Sequence, residues 1–242
     1  AVEGYRTMIE VTYIDHMGSD LSVVNAARVS FGKKGEWGFE CDCVTDSSCM
    51  EIGCDCGAPH TARQLFDRDT KLIKYLAKHG HYSPFGHAFA SFHVKAPIFV
   101  ARQLVKHKFL RWNEISRRYV DDEPEFYEPE YWRDKSEDKK QGSGGKSQSQ
   151  YFPNIYVKEV AEKALGDYKK MLGQGIAPEQ ARMVLPQSTM TEWYWSGSLD
   201  AFMDMCNLRC KLDTQYETRL VADYVRSEMI KLFPVSVEAL VK

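Results

Sequence analysis

The sequence predicts an α+β fold, a single domain spanning 1–242 with a central, mostly antiparallel sheet flanked by helices and carrying two loop insertions. Three observations predict it. Apolar residues at the even positions of 88–96 alternate with Ser91, His93 and Lys95, the period-two pattern of a half-buried strand. Apolar stripes at three- and four-residue spacing mark several helices, without the strict strand-helix alternation of a doubly wound sheet. Two stretches, at about 32–60 and 134–150, depart from this pattern in composition.

In chain order, Leu72, Ile73 and Leu76 form a helical stripe that ends at Gly80, a glycine C-cap. The 88–96 strand follows, then Pro97, which suits the first turn of a helix over 98–106 carrying Arg102, Gln103 and Lys106. The 134–150 stretch lacks apolar residues and is rich in Gly, Ser and Lys, so it is expected to be a solvated, mobile loop. Val157, Val160, Ala161, Ala164, Leu165 and Tyr168 give an amphipathic helix over 156–172 with Gly173 behind it. Ser198 reads as the N-cap of a further helix burying Leu199, Phe202, Met203 and Cys206. The last helix runs over 216–232, before Pro234.

The charge balance excludes some functions. Lys and Arg number 32 against 34 Asp and Glu, a formal charge of −2 with no global field to draw the chain onto nucleic acid or anionic membrane. No apolar run reaches transmembrane length, so a cytoplasmic protein is expected. The seven cysteines are odd in number, and Cys41, Cys43, Cys49, Cys54 and Cys56 crowd together, which argues against a disulfide framework for the whole fold.

One segment concentrates chemistry. Arg102, Gln103, Lys106, His107 and Lys108, followed by Glu114, Ser116, Arg117 and Arg118, crowd cations that call for anionic ligands, phosphate being the natural one. A solvated basic helix end explains the same residues, and the sequence alone leaves both open.

Several segments in order carry a resemblance. Lys106-His107-Lys108, seven residues and Ser116 match the spacing of an Arg-His-Arg, seven residues, Ser signature, with lysine in place of both arginines. Ala26-Ala27-Arg28-Val29-Ser30-Phe31, His79-Gly80-His81, Ser83-Pro84-Phe85, Phe92-His93-Val94-Lys95-Ala96-Pro97, Ala181-Arg182-Met183-Val184-Leu185-Pro186 and Asn207-Leu208-Arg209 extend it along nearly the whole chain. The chain thereby resembles the flavin-dependent thymidylate synthases. The resemblance implies reductive methylation of dUMP to dTMP with methylenetetrahydrofolate, FAD and NADPH, in a homotetramer with active sites where subunits meet.

It also implies roles. Gln103, Lys106, Glu114, Ser116, Arg117, Arg118, Arg182 and Arg209 would hold dUMP. His81, Ser83, Lys106, His107, Lys108, Glu114, Ser198 and Asp204 would contact the flavin or folate side. Arg209 would activate the substrate, because a guanidinium stays protonated and can pair in a fork with negative charge on uracil N3 and O4. Standing alone, Arg209 would read first as a helix-end arginine bonding its own last carbonyls, and Arg182 as a surface arginine on a short helix after Pro178. No Pro-Cys pair supports a covalent cysteine mechanism, and Cys206 and Cys210 read as core residues.

Three alternatives accompany this reading. A related hydroxymethylase would let water capture the methylene intermediate. Cys41, Cys43, Cys54 and Cys56 could ligate a structural zinc that stabilises the first insertion, or the segment is a loop with reducible thiols. More remotely, the chain would be a nucleic-acid-binding module or a zinc-stabilised interaction protein.

Overall fold

The computed structural model describes residues 8–41, 60–120, 122–137 and 142–242. Its centre is a four-stranded antiparallel sheet in the order β1-β4-β6-β5, formed by β1 (Glu10–Met17), β4 (Phe89–Pro97), β6 (Met190–Ser198) and β5 (Leu110–Glu114). A separate hairpin pairs β2 (Gly38–Cys41) with β3 (His60–Gln64). The helices are α1 (Asp20–Arg28), α2 (Asp67–Lys78), α3 (Ile98–Leu104), α4 (Tyr151–Gly173), α5 (Pro178–Ala181), α6 (Leu199–Arg209), α7 (Tyr216–Leu232) and α8 (Pro234–Leu240).

The even positions of β4 do what the alternation requires: Ala90, Phe92, Val94 and Ala96 are buried. β6 pairs with β4 from Phe89 opposite Ser198 to Pro97 opposite Met190 without a break. On the inner face Phe92 and Trp195 both meet Phe202 of α6 edge-on, with ring centroids 5.2 and 5.3 Å apart. Trp112 of β5 stacks on Trp193 at 4.3 Å. The outer face is polar: His93 pairs with Glu192 at 2.9 Å, and Ser91 hydrogen-bonds Ser196 at 2.8 Å.

α2 ends as its sequence foretells. Gly80 has φ +71°, its N–H donates to the Ala77 carbonyl at 3.2 Å, and His81 N–H donates to the Leu76 carbonyl at 2.9 Å. This double closure satisfies two orphan carbonyls and fixes the direction in which the chain leaves toward His81 and Ser83. The buried face of α6 is Leu199, Phe202, Met203 and Cys206 as expected.

Several expectations need correction. Pro97 closes β4 and precedes α3 rather than sitting within its first turn, and α3 stops at Leu104, so Lys106 lies in the following turn. α4 starts at Tyr151, five positions before the expected 156, because Tyr151, Phe152 and Pro153 continue the helix. Its expected apolar stripe is only half covered: Ala161, Ala164 and Tyr168 are buried, while Val160 is 56% exposed. α8 is not among the expected helices, although Pro234 is a fitting first residue.

The 134–150 stretch, where it is described, lies at the surface without helix or strand and is held by hydrogen bonds. Gln150 Oε1 accepts from Trp132 N–H at 2.8 Å, Ser143 Oγ accepts from Arg133 Nε at 2.7 Å, and the backbones of Arg133 and Lys146 pair in an isolated antiparallel β-bridge. Polar side chains hold this segment, which an apolar pattern does not reveal. Of the expected zinc ligands, Cys43, Cys54 and Cys56 lie outside the described residues, and Cys41 is described only as the last residue of β2.

Candidate active site

The site begins where α3 ends. Ile98 and Phe99 N–H groups donate to the Thr189 and Gln187 carbonyls, pinning the start of α3 to the segment entering β6. Leu104 is fully buried, so the last turn of α3 is anchored from within and Gln103 beside it is held at the surface. The chain then turns through Lys106, His107 and Lys108, and Phe109, at φ +64° and 82% exposed, reverses it into β5. A left-handed phenylalanine is uncommon and strained. Lys106 and Lys108 are exposed, with no ion-pair partner among the described residues.

Arg209, at the end of α6, reaches across to this turn. Its Nε donates to His107 Nε2 at 3.0 Å and its Nη2 to the Gln103 carbonyl at 3.4 Å. The helix-end alternative, in which Arg209 bonds its own last carbonyls, is not what the side chain does. Burial, and then the charge of Arg209, push the His107 pKa down from 6.5 to about 4. The imidazole is therefore neutral near pH 7, with Nε2 as its acceptor. Burial also lowers the Arg209 pKa.

Behind Gln103 lies a polar chain that the sequence does not expose. Gln103 Nε2 donates to Gln215 Oε1, and Gln215 Nε2 donates to Glu217 Oε2 at 3.3 Å. Glu217, 3% exposed in the first turn of α7, accepts from Arg133 Nη2 at 2.6 Å and from the Tyr127 hydroxyl at 3.5 Å. The Arg133 guanidinium also lies 4.7 Å from the Tyr216 ring centroid. Burial, with Glu217 next to it, raises the Tyr127 pKa, so its hydroxyl stays a donor. Gln215 and Glu217 also line a cavity of about 500 Å³ between Phe99, Tyr156 of α4 and Trp132. In sequence, Glu217 looks like an ordinary acid near a helix start, and nothing pairs it with Arg133 far upstream.

The remaining expected residues are spread out. Glu114, ending β5, accepts from Thr191 Oγ1 at 2.7 Å and from Trp112 Nε1 at 3.0 Å. Ser116 Oγ accepts from the Arg118 backbone N–H and Nε, both at 3.4 Å, and the Arg118 guanidinium lies 5.0 Å from the Tyr119 ring centroid. Arg117 turns to Asp122, donating to its carbonyl at 2.6 Å. Arg182 lies in the single turn after α5, exposed, with Nε donating to the Glu179 carbonyl at 3.2 Å. His81 and Ser83 are exposed after α2. Ser198 precedes α6 without a side-chain capping bond, and Asp204 is 3.7 Å from Lys242 Nζ. Thus direct contacts unite Gln103, His107 and Arg209, while among the described residues no hydrogen bond or ion pair links them to Arg182, His81 or Ser83.

Comparison with known proteins gives this arrangement a context. The family model described as "Thymidylate synthase complementing protein" matches residues 12–235. The flavin-dependent thymidylate synthase of Kosmotoga olearia is 36% identical over 239 residues, covering 98% of this chain and 90% of its own. That of Thermus thermophilus is 37% identical over 221 residues, covering 91% of this chain and 71% of its own. Among solved structures, the UMP/dUMP methylase PolB from Streptomyces cacaoi, bound with 5-Br dUMP, superposes with a TM-score of 0.76 at 30% identity, over 97% of this chain and 95% of its own. A match that runs from the first strand of the sheet into α8, together with a relative 36% identical over 98% of this chain, shows that this chain belongs to the thymidylate synthase complementing protein family.

Proposed function

We propose that the chain is a flavin-dependent thymidylate synthase that methylates dUMP reductively to dTMP, with methylenetetrahydrofolate as carbon donor and FAD reduced by NADPH. Family membership, the activity named for its relatives and the nucleotide analogue bound to PolB support this reading. The observation that carries it within this chain is the tether of Arg209 to a neutral His107.

Attack by C5 of uracil needs electron density pushed into the ring, which leaves negative charge on N3 and O4. Arg209 is built to meet that charge. Its Nε and one Nη2 proton are engaged by His107 and the Gln103 carbonyl, which fixes the guanidinium plane and leaves Nη1 for a ligand. Both partners are uncharged. A carboxylate in place of His107 would orient Arg209 equally well but would cancel its charge, whereas the neutral imidazole orients it and leaves the cation free to act.

FAD, when bound, supplies the hydride of the reaction. Lys106 and Lys108, exposed and unpaired among the described residues, suit its phosphates, and Asp204, its carboxylate partly compensated by Lys242, is a further proposed contact. His81, Ser83, His107, Glu114 and Ser198 complete the proposed flavin and folate contacts. Gln103, Glu114, Ser116, Arg117, Arg118 and Arg182 complete those to dUMP. That no hydrogen bond or ion pair among the described residues joins Arg182 or His81 to Arg209, together with the 80% exposure of Met183 beside Arg182, supports a homotetramer whose sites form between subunits.

Zinc on Cys41, Cys43, Cys54 and Cys56 belongs to the same proposal. The hairpin brings Cys41 opposite His60 and so draws together the two ends of the cysteine-rich segment. No described helix is long and apolar enough to cross a membrane, which agrees with the proposed cytoplasmic location. Methylation is favoured over hydroxymethylation, nucleic-acid binding and a zinc-stabilised interaction role by the activities named for the relatives.

The test is an anaerobic assay with dUMP, methylenetetrahydrofolate and NADPH. A yellow protein yielding a nucleotide heavier by one methylene is expected. A product carrying an extra oxygen would point to hydroxymethylation, and a colourless protein that takes up no FAD would sink the reading.

A further inference from the structure

We propose that Gln215 is a positioning residue whose hydrogen bonds decide which edge of the Gln103 amide is offered to the nucleotide; this rests on the thymidylate synthase reading above. A side-chain amide has a donor end and an acceptor end of nearly equal shape, and either can face a ligand. Here the choice is made two residues away. The Glu217 carboxylate is buried, paired with Arg133 at 2.6 Å, and accepts only. Gln215 must therefore turn its Nε2 toward Glu217, since its Oε1 would meet like charge there. That leaves Gln215 Oε1 as the atom facing Gln103, and only the Gln103 Nε2 can satisfy it.

One N–H of Gln103 is thereby used, and its Oε1 and second N–H remain for the substrate side by side. The same residue gives its backbone carbonyl to Arg209 Nη2 at 3.4 Å. A single glutamine thus both restrains the activating arginine and presents a polarity dictated by a buried carboxylate it does not touch. Gln215 has no need to contact the nucleotide to do this. Its part is to carry the polarity of Glu217 across one link.

The inference is tested by kinetics of dTMP formation and by calorimetric titration of dUMP into wild type, Gln215→Lys and Gln215→His, with flavin absorbance and Tm as folding controls. Lysine donates to Glu217 but can only donate toward Gln103 as well, so the Gln103 amide must turn its Oε1 inward and offer the opposite edge to the nucleotide. Histidine can donate to Glu217 and accept from Gln103, preserving the polarity. Gln215→Lys is expected to raise the dUMP KM and Kd about tenfold with kcat within about twofold, and Gln215→His to stay within about threefold of wild type. Should Gln215→Lys lose its fold, Gln215→Leu, which removes both hydrogen bonds and frees the Gln103 amide to take either orientation, is expected to weaken dUMP binding in the same direction. Wild-type KM and Kd in the polarity-breaking variant, or equal weakening in both variants, would overturn the inference while leaving the enzyme class standing. A wild type that forms no dTMP would overturn both.

Discussion

Arg209 Nε donates to His107 Nε2 at 3.0 Å, a bond that exists only while the imidazole is neutral. Its partner is depressed to a pKa of about 4 by burial and by the arginine's own charge. Site geometry and acid stability are therefore linked through one ring nitrogen.

The unfolded chain takes up a proton on His107 near pH 6.5, and the folded chain only near pH 4, so between these values the unfolded state binds more protons. This group's contribution to stability is present above pH 6.5 and is lost as pH falls toward 4. For a half-exposed ring, screening reduces the effect to about 1–2 kcal/mol over that window. Chemical denaturation of wild type and His107→Gln at pH 7 and pH 4.5 should show a smaller loss in the variant; parallel losses would contradict the assignment.

Arg209→Lys keeps the charge but not the fork. An ammonium cannot reach the His107 nitrogen, the Gln103 carbonyl and a ligand at once in the guanidinium plane. Turnover of dUMP should fall by about 10²- to 10³-fold, with Tm within a few degrees of wild type. Near-normal kcat would remove Arg209 from the activating role.

Asp20 caps a helix far along the chain. Its Oδ2 accepts from Val235 N–H at 3.0 Å and its Oδ1 from Ser236 N–H at 2.9 Å, serving the first turn of α8 from the start of α1. It is 3% exposed, so Asp20→Ala leaves buried amides without partners. A loss of about 2 kcal/mol and a Tm lower by about 5 °C are expected in thermal unfolding. An unchanged Tm would mean that water replaces the carboxylate.

Gly197 of β6 lies opposite Leu110, the first residue of β5. A Cβ there would lie 2.4 Å from Leu110 Cδ2 and 3.2 Å from the Phe109 carbonyl oxygen. Leu110 could rotate away, but the backbone of Phe109, already at positive φ, has little room to yield. Gly197→Ala should destabilise by about 1–3 kcal/mol in denaturant unfolding. A neutral result would show that the turn into β5 is soft.

The parts of this fold legible in the sequence are those with a local signature. The alternation of β4, the glycine closure of α2 and the buried face of α6 are each written within a dozen residues. β6, absent from the expected elements, does carry a usable signal, since Thr191, Trp193 and Trp195 recur at period two and all are buried. Gln103, His107 and Arg209 follow from the resemblance, and the structure brings them into contact. Gln215, Glu217 and Arg133 escape sequence reading, because a buried ion pair and an amide chain join residues on different elements and leave no periodic trace. The hydrogen bonds of Arg133 to Ser143 and of Trp132 to Gln150, in the described parts of the 134–150 region, leave no periodic trace for the same reason.

The pairing of β4 with β6 also sets how the molecule comes together in time. Phe89 and Ser198 lie opposite each other although roughly a hundred residues separate them, and the lysine turn, β5 and α4 all belong to the loop this pairing closes. The loss of chain entropy on closure comes before most contacts of the inner face can form, which places folding on the slow, millisecond-to-second side of small-protein rates. The Arg209 tether to His107 reaches from outside that loop back into it, so it joins the same two parts of the chain that the strand pairing brings together.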